Sequence, residues 1–268
     1  MRKVFIFITI FATLVCTSCS NRRAFSVGPK KKVTFATGNL QYHPKNNTWQ
    51  FAAAQTDYIG EANTYISAQY DGWVDLFGWS GDSLKLYGVC ASEIIAYYYG
   101  EFLDWGEKTI LEDKPNTWRT LTMEEWNYLC NERPYADSLK GVAQVNGVNG
   151  LILLPDKWNS PRNIAFKPGF CDGFEAESYE QYQSFTAEQW AVLEQAGAVF
   201  LPAAGFRRGT EVNYLEEIGC YWSATPFDND GAHFLDFFSE GAEVCAYDRC
   251  LGHCVRLVKD KKRLWPFN

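Results

Sequence analysis

Residues 221–238 read YWSATPFDNDGAHFLDFF and decide the fold class more clearly than any other stretch of the chain. Aromatic-rich segments at 221–225 and 232–238 flank a polar stretch at 228–231 that contains Asp, Asn and Gly. Short Asp/Asn/Gly stretches between two such segments are typical of the turn of a β-hairpin. The sequence therefore predicts two antiparallel strands here.

Four further segments have the patterns of core strands. Residues 150–155 and 198–202 are continuous apolar runs that end in proline, and such runs are typical of strands buried on both faces. Residues 33–36 and 254–258 alternate apolar and polar side chains, as half-buried strands do. We expect all four to pack in the core, with residues 254–258 as its last strand.

Two helices have well-marked first turns. Thr122 precedes Glu125 by three residues, and Thr186 precedes Gln189 by the same spacing, which is that of a capping box. Apolar residues follow at helical spacing in both segments, and Gly197 has the position of a C-terminal cap. Two main helices among many short strands predict an α+β fold with long loops.

The N-terminus looks like a bacterial export signal. Arg2 and Lys3 precede an apolar run at 4–15, which is too short to span a bilayer but typical of a signal-peptide core. Small residues then precede a cysteine, as in the lipobox of bacterial lipoproteins, so lipidation of Cys19 is predicted. The alternative is an ordinary secretory signal cleaved near Ser18.

Composition favours one globular domain that meets the membrane only through this anchor. The chain has 268 residues, and 47% of them are hydrophobic, which is ample for a core. A formal charge of −7 without a basic run excludes a nucleic-acid-binding protein. The predicted layout is a signal peptide at 1–18, a lipidated cysteine and tether at 19–32, a single domain at 33–259 and a C-terminal tail at 260–268.

Six short motifs occur together along the chain: GNLQY at 38–42, WRTLT at 118–122, GLILLP at 150–155, FLPAAG at 200–205, YWSATP at 221–226 and VRLV at 255–258. In this order they resemble the Bacteroidetes lipoproteins that carry the Fibrobacter succinogenes major paralogous domain. The resemblance implies a C-type-lectin-like fold, related to the formylglycine-generating enzyme superfamily. It assigns no activity, because biochemical function in that family is mostly unassigned.

Some relatives of this kind are targets of diversity-generating retroelements, which rewrite a C-terminal segment by mutating adenines in asparagine codons. Residues 220–254 are similar to such a segment, because residue types reachable from an asparagine codon are interspersed with expected fixed residues. The resemblance implies a ligand-binding face made of Cys220, Phe227, His233, Asp236, Phe238, Cys245, Tyr247, Asp248, Cys250, Leu251 and His253. An ordinary mixture of core and loop residues is the alternative.

The C-terminal cysteines do not match a metal or catalytic centre. Cys245, Cys250, His253 and Cys254 have the spacing C-x4-C-x2-H-C, which is not a recognised zinc pattern. A formylglycine-generating oxidase would use Cys250 and Cys254, but its expected flanking residues are missing. Residues 114–116 (KPN) lack the carboxylates that calcium-dependent sugar binding requires. We therefore predict no metal, no cofactor and no catalytic residue.

Three functions are compatible with these patterns. The first is a binding module displayed from the cell envelope on an outer-membrane lipid anchor, with a protein or glycan as its ligand. The alternatives are a structural envelope lipoprotein without a dedicated ligand and a cysteine-dependent oxidase. The sequence leaves open whether the anchor faces the periplasm or the medium. Exposed side chains at Phe227, Phe238 and Leu251 would favour binding, and buried ones would favour a structural role.

Overall fold

The computed structural model describes residues 23–173 and 176–261, so the predicted signal peptide, Cys19 and most of the predicted tail lie outside the described residues. The strands are β1 (Phe25–Gly28), β2 (Lys31–Phe35), β3 (Leu40–His43), β4 (Thr48–Phe51), β5 (Lys140–Val145), β6 (Val148–Leu153), β7 (Ser184–Phe185), β8 (Val199–Pro202), β9 (Phe206–Arg208), β10 (Glu211–Asn213), β11 (Gly219–Pro226), β12 (Gly231–Phe238), β13 (Gly241–Asp248) and β14 (Val258–Asp260). The α-helices are α1 (Met123–Asn127), α2 (Glu177–Tyr182) and α3 (Ala187–Ala196), and a π-helical turn over Tyr128–Glu132 continues α1.

The strands form mainly antiparallel sheets, and with the short helices they make the fold α+β, as predicted. One sheet has the order β7-β5-β6-β8, in which the β5–β7 pair is parallel. Two three-stranded sheets have the orders β1-β2-β14 and β11-β12-β13, and β3 with β4 and β9 with β10 form two-stranded sheets. Residues 52–122 connect these sheets through 3-10 turns, bends and isolated bridges. No helix within the described ranges is long and apolar enough to cross a membrane.

The predicted hairpin, apolar strands and helix starts are confirmed. β11 and β12 form the hairpin, and β6 and β8 are the two apolar strands, with β8 buried along its whole length. The Thr122 side chain accepts a hydrogen bond from the backbone N–H of Glu125, and Thr186 accepts one from Gln189, so both capping boxes are present. Gly197 ends α3 in the left-handed conformation, with a φ of 111°.

The tether predicted at 19–32 is wrong in its C-terminal part. Phe25–Gly28 form β1, which pairs with β2, and Phe25 is 1% exposed. Its ring packs edge-on against Phe35, with ring centroids 5.0 Å apart. The folded domain therefore includes Phe25 and does not begin at Val33. Such a short strand offers too few positions to show the alternation by which a strand is recognised in sequence.

The predicted last strand at 254–258 is only partly correct. Val258 belongs to β14, which pairs with β2, whereas residues 252–254 make single bridges to three separate segments. These bridges join Gly252 to Arg207, His253 to Phe77 and Cys254 to Tyr221. The segment threads between several parts of the chain instead of pairing with one strand, and its alternating pattern cannot distinguish the two arrangements.

A buried arginine, Arg256, ties distant parts of the chain together. Its guanidinium donates to Asn39 Oδ1 at 3.0 Å and to the carbonyl of Ala36 at 3.3 Å. It also donates to the carbonyl of Phe200 at 2.8 Å and to Gln55 Oε1 at 3.5 Å. An unpaired buried acceptor costs about 1–3 kcal/mol, so this one side chain removes several such penalties.

Three more buried arginines, Arg133, Arg207 and Arg249, act in the same way on irregular segments. Arg133 donates to the carbonyl oxygens of Leu139 and Leu154 and to Asp156 Oδ1. The acceptors are the carbonyl oxygens of Leu76, Cys90 and Gly209 for Arg207, and of Tyr98, Gly100, Asp228 and Gly231 for Arg249. A guanidinium offers five N–H donors in a fixed plane, which suits it to several carbonyls at once. The long loops are therefore held by side-chain donors as well as by sheet pairing.

Replacing Arg256 with lysine tests this role. A lysine side chain at this position would keep a positive charge but could not reach all four acceptors, so we expect Arg256→Lys to lower the free energy of unfolding by about 3 kcal/mol. Urea unfolding followed by tryptophan fluorescence measures the change. Arg162→Lys is the control, because Arg162 is exposed and its replacement should change stability by less than about 0.5 kcal/mol. Equal losses in the two variants would contradict the role assigned to Arg256.

Candidate ligand-binding site

The β11-β12-β13 sheet has two faces in different environments. One face packs on the main core through Tyr221, Leu235 and Phe237. Side chains alternate along a strand, and directly paired residues of neighbouring strands lie on the same face. The pairing of Cys220 with Asp236 and of Phe234 with Cys245 therefore places these residues and Tyr247 on the second face.

A concave pocket of about 260 Å³ opens on this second face. Its lining residues are Phe206, Arg208, Ile218, Cys220, Phe234, Asp236, Tyr247, Leu251 and His253. Five of them belong to the predicted ligand-binding face: Cys220, Asp236, Tyr247, Leu251 and His253. Mostly apolar walls with a few polar groups are the usual composition of a ligand pocket.

His253 forms part of the enclosed wall. Its ring stacks on Trp222, with centroids 4.1 Å apart, and lies 4.3 Å from the ring of Phe234. Burial lowers the pKa of His253 to about 3, and the nearby Arg207 charge acts in the same direction. Its Nδ1 atom is buried and has no hydrogen-bond partner among the described residues. The imidazole is therefore neutral near pH 7 and acts in packing.

Asp236 is the acidic group of the pocket. Desolvation raises the pKa of its carboxyl to about 6, and the charge of Glu243 acts in the same direction. Hydrogen bonds from the Cys220 thiol, 3.6 Å from Asp236 Oδ1, and from the backbone of Phe237 oppose this shift. None of the salt bridges among the described residues involves Asp236. A partly buried carboxyl thus lines the pocket without a salt-bridge partner from this part of the chain.

Tyr247 and Arg208 are the more accessible members of the lining. Tyr247, on β13, is 55% exposed. Arg208, at the end of β9, has an exposed side chain whose Nε lies 4.0 Å from Glu93 Oε2. Arg207, the preceding residue on the strand, points into the protein and binds backbone carbonyls. The strand alternation of β9 therefore places Arg208 at the pocket.

The cysteines near the pocket are free thiols, as are all seven cysteines in the described ranges. Burial raises the pKa of Cys250 and, more strongly, of Cys254. It also raises the pKa of Cys220 and brings that of Cys245 to about 12. A nucleophilic thiol needs the opposite shift. Within residues 23–173 and 176–261, no group of three or more His, Cys, Asp or Glu side chains is placed to hold a metal ion.

The structure divides the predicted ligand-binding face. His233 lies on the opposite face of β12 from Asp236, because the two residues are separated by an odd number of positions. It contacts Phe227 beside the hairpin turn, with ring centroids 5.4 Å apart, and Phe227 is 63% exposed. These two side chains are therefore near each other but do not line the pocket.

The other predicted residues outside the pocket lining have mixed positions. Phe238 and Cys245 are partly buried on the pocket side of the sheet, and Asp248 lies on the opposite side. Cys250 is buried in the turn after β13. Of the three side chains chosen to separate binding from a structural role, Phe227 is exposed, Phe238 is partly buried and Leu251 is only 5% exposed.

Sequence reasoning missed four lining residues: Phe206, Arg208, Ile218 and Phe234. Phe234 could have been found, because it is two positions from Asp236 and alternation puts both on one face. Phe206, Arg208 and Ile218 precede the segment 220–254 and reach the pocket only through tertiary packing. No local pattern in the sequence connects them to it.

Asp236→Asn should stabilise the protein at high pH. The folded state favours the protonated carboxyl, so this contribution to stability is complete below about pH 4 and is lost as pH rises through 6. Asparagine keeps an uncharged side chain at every pH. We expect a gain of about 1–2 kcal/mol at pH 8, after allowance for solvent screening, and almost none at pH 4.

Thermal unfolding at the two pH values measures this difference. Asp248→Asn removes one charge from the opposite face of the same sheet, and we expect it to give no comparable pH-dependent gain. A stabilisation by Asp236→Asn that is the same at pH 4 and pH 8 would contradict the assignment of a raised pKa to Asp236.

Comparisons of the chain with protein-family models, with curated proteins and with solved structures gave no match. The geometry of the pocket and the sequence patterns are therefore the basis for a functional proposal.

Proposed function

We propose that this chain is a cell-envelope lipoprotein whose domain has a C-type-lectin-like fold and binds a protein or glycan through the pocket on the β11-β12-β13 sheet. One observation carries the proposal. Five residues assigned to a ligand-binding face from sequence line one pocket, together with Phe206 and Ile218 from an earlier part of the chain.

The arrangement of the strands supports the finer fold assignment. β14 pairs with β2, so the first and last parts of the described chain share one sheet. The segments between them include the long irregular stretch 52–122, and the three-stranded sheet β11-β12-β13 follows the helices. A domain whose N-terminal and C-terminal strands pair, with long loops and an antiparallel sheet in its C-terminal part, is compatible with the C-type-lectin-like fold that the resemblance implies.

Ligand contact is assigned to the accessible side chains. Tyr247 and Arg208 are open to solvent, and Asp236 is partly so. Cys220, Leu251 and His253 are enclosed and form the walls, so random replacement there would disturb packing. For this reason the proposal does not require that residues 220–254 are diversified.

A structural envelope lipoprotein is the second candidate, and the burial of Leu251 and Cys250 favours it. In that case the pocket would be only a gap between loops. A ligand whose binding depends on the pocket lining separates the two functions.

Replacement of Tyr247 tests the binding function. We expect the full chain, purified in detergent, to bind selected members of a glycan array or a peptide array, and Tyr247→Ala to weaken that binding at least about tenfold. Tyr65→Ala is the matched control, because Tyr65 is 65% exposed and does not line the pocket. Equal binding by both variants would reject the pocket as the ligand site.

The lipid anchor has its own test. In a bacterial host that processes lipoproteins, we expect the chain to incorporate a labelled fatty acid and to fractionate with membranes. Cys19→Ser should abolish both, because Cys19 is the predicted acceptor. Cys90→Ser, at a free thiol inside the domain, should leave both unchanged. Retained labelling in Cys19→Ser would reject the anchor.

A further inference from the structure

The pocket on the β11-β12-β13 sheet combines a carboxyl with aromatic walls. Phe206, Phe234 and Tyr247 contribute aromatic rings, and Asp236 contributes the acid. The electron-rich faces of aromatic rings attract cations, and a partly desolvated carboxylate does so more strongly. Both kinds of group therefore favour a positively charged ligand.

Two neighbouring carboxyl groups make the electrostatic potential beside the pocket negative. Asp236 pairs with Glu243 across β12 and β13, so two acidic side chains are neighbours on the same face. Like charges at directly opposed positions of a sheet destabilise it. Arg208 is the arginine of the lining, and its Nε lies 4.0 Å from Glu93 Oε2. A bound cation would relieve the repulsion between Asp236 and Glu243.

The pocket rings take no part in the cation–π contacts of the described chain. Within residues 23–173 and 176–261, those contacts involve the rings of Phe25, Trp79, Tyr87, Trp118 and Tyr182. None of these rings lines the pocket. The faces of Phe206, Phe234 and Tyr247 are therefore not occupied by a cation from this part of the protein.

The volume limits the size of the ligand. About 260 Å³ lies just below the range of roughly 300–1,000 Å³ that is usual for drug-sized ligands. The pocket therefore suits one side-chain-sized group. Its mostly apolar lining suits a ligand with an apolar stem, and a fully hydrated metal cation would not use those walls.

We propose that the pocket binds an ammonium group on an apolar stem, with the cation at Asp236 and the stem against Phe206, Phe234 and Leu251. This proposal rests on the proposed function, because it names the ligand class for the same pocket. A free alkylamine or arylalkylamine and a lysine side chain of a partner protein share this chemistry.

Three probes of one shape test the proposal by calorimetry on the full chain in detergent: 2-phenylethylammonium, 2-phenylethanol and 3-phenylpropionate. We expect the ammonium probe to bind at least about tenfold more tightly than the alcohol, and the carboxylate to bind most weakly. Asp236→Asn should lose this preference, whereas Asp248→Asn should keep it. Equal or tighter binding of the alcohol or the carboxylate, or an equal loss in Asp248→Asn, would overturn the proposal.

The pH profile gives a second readout. An alkylammonium remains charged between pH 5 and pH 8, so a pH dependence in that range reports on the protein. We expect the affinity for 2-phenylethylammonium to increase as pH rises through about 6, and to be flat in Asp236→Asn. The other titratable or charged groups around Asp236 are Cys220, Glu243, Cys245, Tyr179, Arg208 and His253. A profile that is unchanged in Asp236→Asn would count against the proposal.

Two further comparisons separate the outcomes. A lysine-containing peptide that binds more tightly than 2-phenylethylammonium, and loses binding on Nε-acetylation, would identify a protein lysine as the source. Equal affinities would identify a small amine. If an array ligand depends on Tyr247 but no ammonium probe displaces it, this inference fails and the proposed function stands. If neither the arrays nor the probes bind, both fail.

Discussion

The constraint on which the fold depends is the need to satisfy backbone carbonyls in long segments outside the sheets. The buried arginines meet it. Arg256 joins residues 36–39 to β8. Arg207 holds the loop at Cys90, and Arg249 holds the turn between β11 and β12. Burying a guanidinium is costly unless its donors are used, and here most of them are directed at backbone carbonyl or side-chain amide oxygens. The cost of desolvating each charge is thereby offset by several hydrogen bonds.

The same constraint produces the pocket. Arg207 and Arg208 are neighbours on β9, so one points inward to carbonyls and the other points to the pocket. The bridge from Arg207 to Gly252 fixes the segment that carries Leu251 and His253 against β9. The walls are therefore positioned by buried polar contacts, and these contacts do not draw on the carboxyl of Asp236. Asp236 therefore lines the pocket without a salt bridge to the described part of the chain.

Sequence patterns predicted the features that local chemistry controls. The capping boxes at Thr122 and Thr186 and the apolar strands β6 and β8 depend on neighbouring residues, and they were found. The packing of β1 and the threading of residues 252–254 depend on partners far along the chain, and they were not. The sequence predicted only part of the pocket lining for the same reason. Alternation within β12 is a local pattern, whereas Phe206 reaches the pocket only through tertiary packing.

The free thiols are spread over the core and have a consequence for the dynamics of the domain. Cys130 lies in the turn after α1, Cys220 in β11, and Cys254 between Tyr221 and Asn39. Burial keeps each of them protonated and out of reach of reagents, so each can react only when its own segment opens. The rate at which a thiol reagent modifies each cysteine would therefore report how often the segment around that cysteine opens. In a domain held by arginine contacts between loops, segments would open separately, so the three cysteines would be modified at different rates.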